Sequence, residues 1–185
     1  METKQYDLLN IVDKIKIQGR VGKITNKGIP LFWTGSALEI NLTGESLWFE
    51  YDCPDGSNGM YLRIEIDGAD IARFMLEKGV HKVCAFTNLE AEKIKNIRIY
   101  REMQPSSPVI IIKTIETDGE LCEPTKRKHK IEFIGDSVTA GEGLAGSPCH
   151  LKWSPFVFSS RENYAILTAK AFDADYSDYK LKKSV

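Results

Sequence analysis

The residues best suited to chemistry lie in one segment, Ile131-Glu132-Phe133-Ile134-Gly135-Asp136-Ser137-Val138-Thr139-Ala140-Gly141-Glu142-Gly143. A short, mostly apolar strand runs into Gly135-Asp136-Ser137. In open α/β sheets, ligands bind beyond the carboxyl ends of the strands. A serine there is held by a rigid strand while its hydroxyl faces the site. Gly135 permits a sharp turn and a close approach of backbone. The Ser137 amide can then aim where its hydroxyl aims, which is what stabilises the oxyanion of an acyl transfer. Such a serine needs a base as well, because a free hydroxyl is a poor nucleophile. The histidines are His81, His129 and His150. His129 precedes the strand and belongs at its opposite end, and His81 falls in the β-rich half. His150, in the loop after the serine, is the geometric candidate; a surface histidine without a catalytic role is the blander reading. Trp153, in the same loop, is the candidate cleft aromatic. Trp48 alternates out of phase with Leu47 and Phe49 and belongs on the outer face of its strand, while Trp33 is expected in the core.

Two other patterns lead nowhere. Gly141-Glu142-Gly143-Leu144-Ala145-Gly146 matches a dinucleotide-binding spacing. That fingerprint needs a strand immediately before and a helix immediately after, and neither is present. Cys149 beside His150 is not a catalytic pair, since adjacent side chains point apart; a free structural thiol is the better reading.

The elements that would position Ser137 divide the chain near Glu123-Pro124-Thr125. Before that point the pattern is of strands. Leu38, Ile40 and Leu42 alternate with Glu39 and Asn41. Leu62, Ile64 and Ile66 alternate with Arg63 and Glu65, and Ile97 and Ile99 with Arg98 and Tyr100. A period of two buries one face and leaves the other wet. Turn residues separate the runs, and Asp67-Gly68 is the best hairpin turn. About eight to ten strands are expected between Lys14 and Asp118, in a sandwich or jelly roll. After the boundary the pattern becomes strand, loop, helix, strand. The helix should open at Ser159, which has capping-box spacing to Glu162, and should turn Tyr164, Leu167, Ala171 and Phe172 inward. Ala174-Asp175-Tyr176-Ser177 starts the next strand. The expected units are a sandwich over 14–123, a basic linker over 124–130, and an α/β segment over 131–185.

Composition excludes classes and names no activity. The 185 residues carry 25 basic and 26 acidic groups, a net charge of −1. Neither nucleic acid nor an anionic membrane is indicated as a partner. Residues 1–124 hold 15 basic and 19 acidic groups, and residues 125–185 hold 10 and 7. Much of the second half's excess is Lys126-Arg127-Lys128-His129-Lys130, read as a solvated linker. The four cysteines are scattered with no CxxC pair, so neither a disulfide framework nor a metal site is expected. No cofactor motif occurs. The N-terminal residues lack a signal-peptide pattern, so a cytoplasmic location is expected.

Gly135-Asp136-Ser137, with Thr139, Gly141 and Gly143 at their spacing, resembles the first sequence block of the SGNH (GDSL-type) hydrolases. Gly19-Arg20, Phe32-Trp33-Thr34-Gly35-Ser36 and Ile64-Glu65-Ile66-Asp67-Gly68 look like the N-terminal jelly roll of carbohydrate esterase family 2. The resemblance implies a mostly β fold: a jelly-roll sandwich followed by the first β-α-β part of an α/β/α SGNH domain. It implies a serine esterase that removes acetyl or other short acyl groups from oligo- or polysaccharide. Ser137 would be the nucleophile and one oxyanion donor, and Asp136 would shape the turn. The family's later glycine, asparagine and Asp-x-x-His blocks do not occur in the chain. It is therefore expected to carry part of the catalytic domain and to be inactive alone, with residues 131–185 packed back on the sandwich, paired with a second copy through open sheet edges, or poorly ordered. The alternative is a non-catalytic carbohydrate-binding or scaffold sandwich with a relic hydrolase segment.

Overall fold

The computed structural model describes residues 2–20, 22–56, 59–103, 109–149 and 152–180. The strands are β1 (Lys4–Asp7), β2 (Ile15–Gln18), β3 (Ile29–Leu31), β4 (Ala37–Leu42), β5 (Leu47–Cys53) and β6 (Tyr61–Ile66). They continue with β7 (Ala69–Met75), β8 (Gly79–Phe86), β9 (Lys95–Arg101), β10 (Ile110–Thr117), β11 (His129–Gly135) and β12 (Ala174–Lys180). The helix α1 spans Tyr164–Ala171.

Two antiparallel sheets form the sandwich. One has the order β1-β10-β5-β8, with β3 pairing β10 beyond the end of β1. The other has the order β2-β4-β9-β6-β7. Leu38, Ile40 and Leu42 of β4, Leu62, Ile64 and Ile66 of β6, and Ile97 and Ile99 of β9 meet Leu47, Phe49, Ile110, Ile112 and Ile115 across the core. The mostly β, jelly-roll-type architecture expected from the alternation is present. Its strands begin earlier than residue 14: β1 pairs with β10, and Leu8 is completely buried just after it. The β6–β7 hairpin turns through Asp67 and Gly68 at φ +49° and +83°. Both values are positive, as a two-residue type I′ turn requires.

The outer face of the second sheet departs from simple alternation. Glu39, Arg63, Glu65 and Arg98, expected to be wet, are buried, and so is Glu102 just beyond β9. Register explains how they coexist. Lys16 lies opposite Glu39, Glu39 opposite Arg98, and Arg98 opposite Glu65, so charge alternates across four strands. Arg98 sits 3.9 Å from Glu39 and 3.8 Å from Glu65. Opposite charges on facing cross-strand positions are mutually stabilising.

What covers this face is the segment after the boundary. β11 and β12 pair in parallel, joined through α1, and the unit lies back on the sandwich. Gly19 N–H donates to the Tyr176 carbonyl at 3.0 Å. The Tyr176 hydroxyl donates to the Gly35 carbonyl at 2.6 Å and accepts from Arg98 at 3.1 Å. Lys170 meets Glu65 at 2.5 Å, and Lys16 meets Asp175 at 2.7 Å. Arg127 reaches Glu39 at 2.9 Å and Asp175 at 3.1 Å. Within the basic run Lys126, Lys128, His129 and Lys130 are exposed, His129 and Lys130 as the first residues of β11, while Arg127 departs from the solvated reading: it is largely buried between the two halves.

The helix corrects the sequence reading twice. Ser159 Oγ does accept from Glu162 N–H, at a long 3.4 Å, but that contact closes a turn ahead of the helix. The cap is Asn163, whose Oδ1 accepts from Ile166 N–H at 2.8 Å. The buried face is Ala165, Ile166 and Ala169, while Tyr164, Leu167 and Phe172 are about half exposed or more. Ile166 and Ala169 pack on Tyr176 and Phe133, so the helix leaves the expected stripe pointing outward.

Removing one partner of a buried ion pair typically costs about 3–5 kcal/mol, and orphaning a neutral buried hydrogen-bond group about 1–3 kcal/mol. Arg98→Met should therefore destabilise the chain more than Tyr176→Phe. Both should speed amide exchange in β11 before β5. Urea unfolding at pH 7 with site-resolved exchange checks the order.

Candidate functional site

Ser137 stands two residues past the end of β11. The turn that carries it is closed by backbone bonds from Ala140 N–H to Asp136 O at 3.1 Å, Gly141 N–H to Val138 O at 2.9 Å, and Glu142 N–H to Ser137 O at 3.0 Å. Asp136 Oδ1 accepts from Val138 N–H at 2.9 Å, an Asx turn that bends the chain at the strand end. Among the described residues, neither the Ser137 N–H nor its Oγ is engaged by another group. Ser137 is partly exposed.

Gly135 has a packing role. A Cβ there would lie 1.9 Å from Thr139 Oγ1. Thr139 folds against the strand end, where its hydroxyl shares a 2.7 Å hydrogen bond with the Tyr164 hydroxyl. Thr139 is buried, and its carbonyl accepts from Asn163 Nδ2 at 2.8 Å. Asn163 therefore does two jobs: Oδ1 caps the helix and Nδ2 holds the serine turn. Sequence reasoning passed over Asn163, and marked Thr139 by its spacing without a packing role. The signal was present, since an asparagine three residues before an apolar helical position is a strong N-cap.

Trp153 is 57% exposed, edge-on to Phe158 at 6.1 Å. With Glu142, Gly143, Gly146, Ser147, Lys152 and Val157 it borders a hollow of about 290 Å³ beside the serine turn. His150 lies outside the described residues. His129 opens β11, at the far end from Ser137. His81 is on β8, stacked on Tyr51 at 5.4 Å with its Nε2 2.9 Å from the Lys78 carbonyl. Neither approaches the serine. Trp48 is half-buried beside Lys82. Trp33 is not a core residue: it is half-buried against Phe32, with the Arg20 guanidinium 5.8 Å from its ring. The second hollow, about 260 Å³, lies between the halves among Gln18, Glu65, Arg98, Arg127 and Lys170, at the opposite end of β12 from the serine. Among the described residues no group of His, Cys, Asp and Glu is arranged to hold a metal ion, and the four thiols are unpaired.

The double role of Asn163 gives a test. Asn163→Asp keeps a good cap but turns the donor at the Thr139 carbonyl into a repelling oxygen. The helix should persist by circular dichroism, while stability falls by about 1–3 kcal/mol and amides 139–142 exchange faster. Loss of the helix instead would mean that the tie to Thr139 also holds the helix, and that the two roles are not separable.

No protein-family model matches the chain. It is 24% identical over 165 residues to an acetylxylan esterase / glucomannan deacetylase of Cellvibrio japonicus, covering 86% of this chain and 44% of that protein. Among solved structures, it superposes on an acetyl xylan esterase from the rumen bacterium Butyrivibrio proteoclasticus with a TM-score of 0.90 and 38% identity. That match covers 97% of this chain and 49% of the other. A family two carbohydrate esterase from Cellvibrio japonicus shares the fold with a TM-score of 0.82 at 22% identity, over 97% of this chain and 52% of the other. The chain thus spans about half the length of the proteins it matches. In sequence and in fold, it is similar to the family 2 carbohydrate esterases.

Proposed function

We propose that this chain carries the nucleophile part of a serine esterase that removes acetyl or other short acyl groups from carbohydrate, acetylxylan-esterase-like in its substrate class. The observation that carries the reading is the Ser137 turn, whose hydroxyl and N–H are both unengaged among the described residues at a strand's carboxyl end. Ser137 Oγ attacks the acyl carbon as its proton passes to a base. The carbonyl oxygen becomes an oxyanion that accepts from the Ser137 N–H. Collapse expels the sugar hydroxyl, which takes up a proton, and leaves an acyl-serine. Water then attacks that ester, releases the acid and restores the hydroxyl.

In this reading other named residues share the work. The Asx turn of Asp136 and the Thr139–Tyr164 pair fix the serine's backbone, so little reorganisation is needed as charge develops. Trp153 offers an open ring face on which a pyranose can stack, with Glu142, Ser147 and Lys152 around it to hydrogen-bond hydroxyls. No Asp-x-x-His block, which the resemblance implies as the source of the base, occurs in the chain, so the chain alone is proposed to turn over esters at background rate.

Two measurements test this. With nitrophenyl acetate and acetylated xylan, the chain and Ser137→Ala should hydrolyse equally slowly. Ser137-dependent turnover would overturn the proposed inactivity while strengthening the assignment of the serine. Calorimetric titration with acetylated xylo-oligosaccharide should show binding that Trp153→Ala weakens about threefold to tenfold. If no acylated saccharide binds at millimolar concentration, the carbohydrate reading fails.

A further inference from the structure

Glu102 directly follows β9 and is completely buried. Its Oε2 lies 2.7 Å from Arg63 Nε, and its Oε1 accepts from the Ser160 N–H at 2.9 Å. Arg63 reaches on to Glu162 at 3.1 Å and Asp70 at 3.5 Å. Arg73 donates to the carbonyls of Phe156 and Phe158 at 3.1 and 3.3 Å. One carboxylate and two arginines of the sandwich therefore grip residues 156–162.

The gripped segment is the one that holds the serine turn. Ser159 N–H donates to the Gly141 carbonyl at 3.0 Å, and Ala145 N–H to the Val157 carbonyl at 2.9 Å. The fit has no slack: at Gly141, with φ +79°, a Cβ would fall 2.2 Å from the Ser159 carbonyl oxygen. From Glu102 to the turn there are two hydrogen bonds and one peptide unit, Glu102 to Ser160 and Ser159 to Gly141.

We infer that Glu102 is a positioning residue for Ser137: a buried carboxylate of the sandwich fixes, through Ser160 and Ser159, where the turn carrying the nucleophile sits. Its catalytic meaning rests on the reading of Ser137 given above; the mechanical coupling does not. The carboxyl is also a titrating one. Burial pushes it up to about 7, against the pull of Arg63 and Arg73 and the hydrogen bonds from Ser159 and Ser160. The charged and titratable groups around it are Arg63 from β6, Arg73 from β7 and Tyr100 from β9, with Asp70 and Glu162 on the far side of Arg63. When protonated, Glu102 keeps a carbonyl acceptor for Ser160 but loses its charge attraction to Arg63. The grip on 156–162, and with it the turn, changes near neutral pH.

The test reads the backbone and needs no substrate. Amide shifts of Ser137, Gly141 and Ser160 are followed from about pH 5.5 to 8.5, bracketing the raised carboxyl, in the chain and in Glu102→Gln. The three should move together with one midpoint near 7 and stand still in the variant, which retains an acceptor for Ser160. Titration of Ser160 alone, or a turn that still titrates in Glu102→Gln, overturns the inference. Should Glu102→Gln not fold, Arg63→Lys serves: a weaker countercharge at Oε2 should raise the shared midpoint, and an unmoved midpoint is a refutation. A positive result in a chain that binds no acylated saccharide would leave the coupling standing and remove only its catalytic meaning.

Discussion

The row Lys16–Glu39–Arg98–Glu65 is the constraint on which the rest of this molecule depends. Four strands place alternating charges side by side on a face that is then withdrawn from water. Charges buried without partners would be prohibitive. Each half supplies what the other lacks. The sandwich presents two glutamates around one arginine, and the α/β segment brings Arg127 to Glu39 and Lys170 to Glu65. Tyr176 fills the centre and ties Arg98 to the Gly35 carbonyl.

A polar interface of this kind contributes less net stability than an apolar one of equal area, because desolvation offsets much of the attraction. What it gives is direction. Hydrophobic contact tolerates sliding and rotation, whereas a guanidinium between two carboxylates has one acceptable position. β12 is set against the outer face of β2 in one register, with Gly19 bonded to Tyr176 and Lys16 paired with Asp175. Because β11 pairs with β12 over seven residues, the register passes to the strand whose end carries Ser137.

The serine turn is consequently held from two sides. β11 fixes where it begins, and residues 156–163, gripped by the sandwich, fix where it ends. A nucleophile and an oxyanion donor act only if their positions are set before charge develops. The sandwich thereby becomes part of the site without offering a group to the reacting atoms. The outward face of α1 and the open edge of β11, with Ile134, Val138, Leu167 and Phe172 exposed, take no part in this hold.

The sequence alone determined the class of the fold and the place of the candidate chemistry. Alternating apolar residues found the core faces of β4, β5, β6 and β9, and Asp67-Gly68 found its hairpin, since period and turn chemistry are local properties. Gly135-Asp136-Ser137 after an apolar strand was legible for the same reason. Tertiary structure alone decided what becomes of polar residues on the second face. Glu39, Arg63, Glu65 and Arg98 look wet because nothing local marks the layer that covers them. Arg127 looks like part of a solvated run because its carboxylate partner is 88 positions away. The helix misled for a related reason: its apolar residues fall on two faces, and only the position of Tyr176 and Phe133 selects which one is buried. Burial is a property of the assembled layers, and a linear pattern carries it only where a single layer exists.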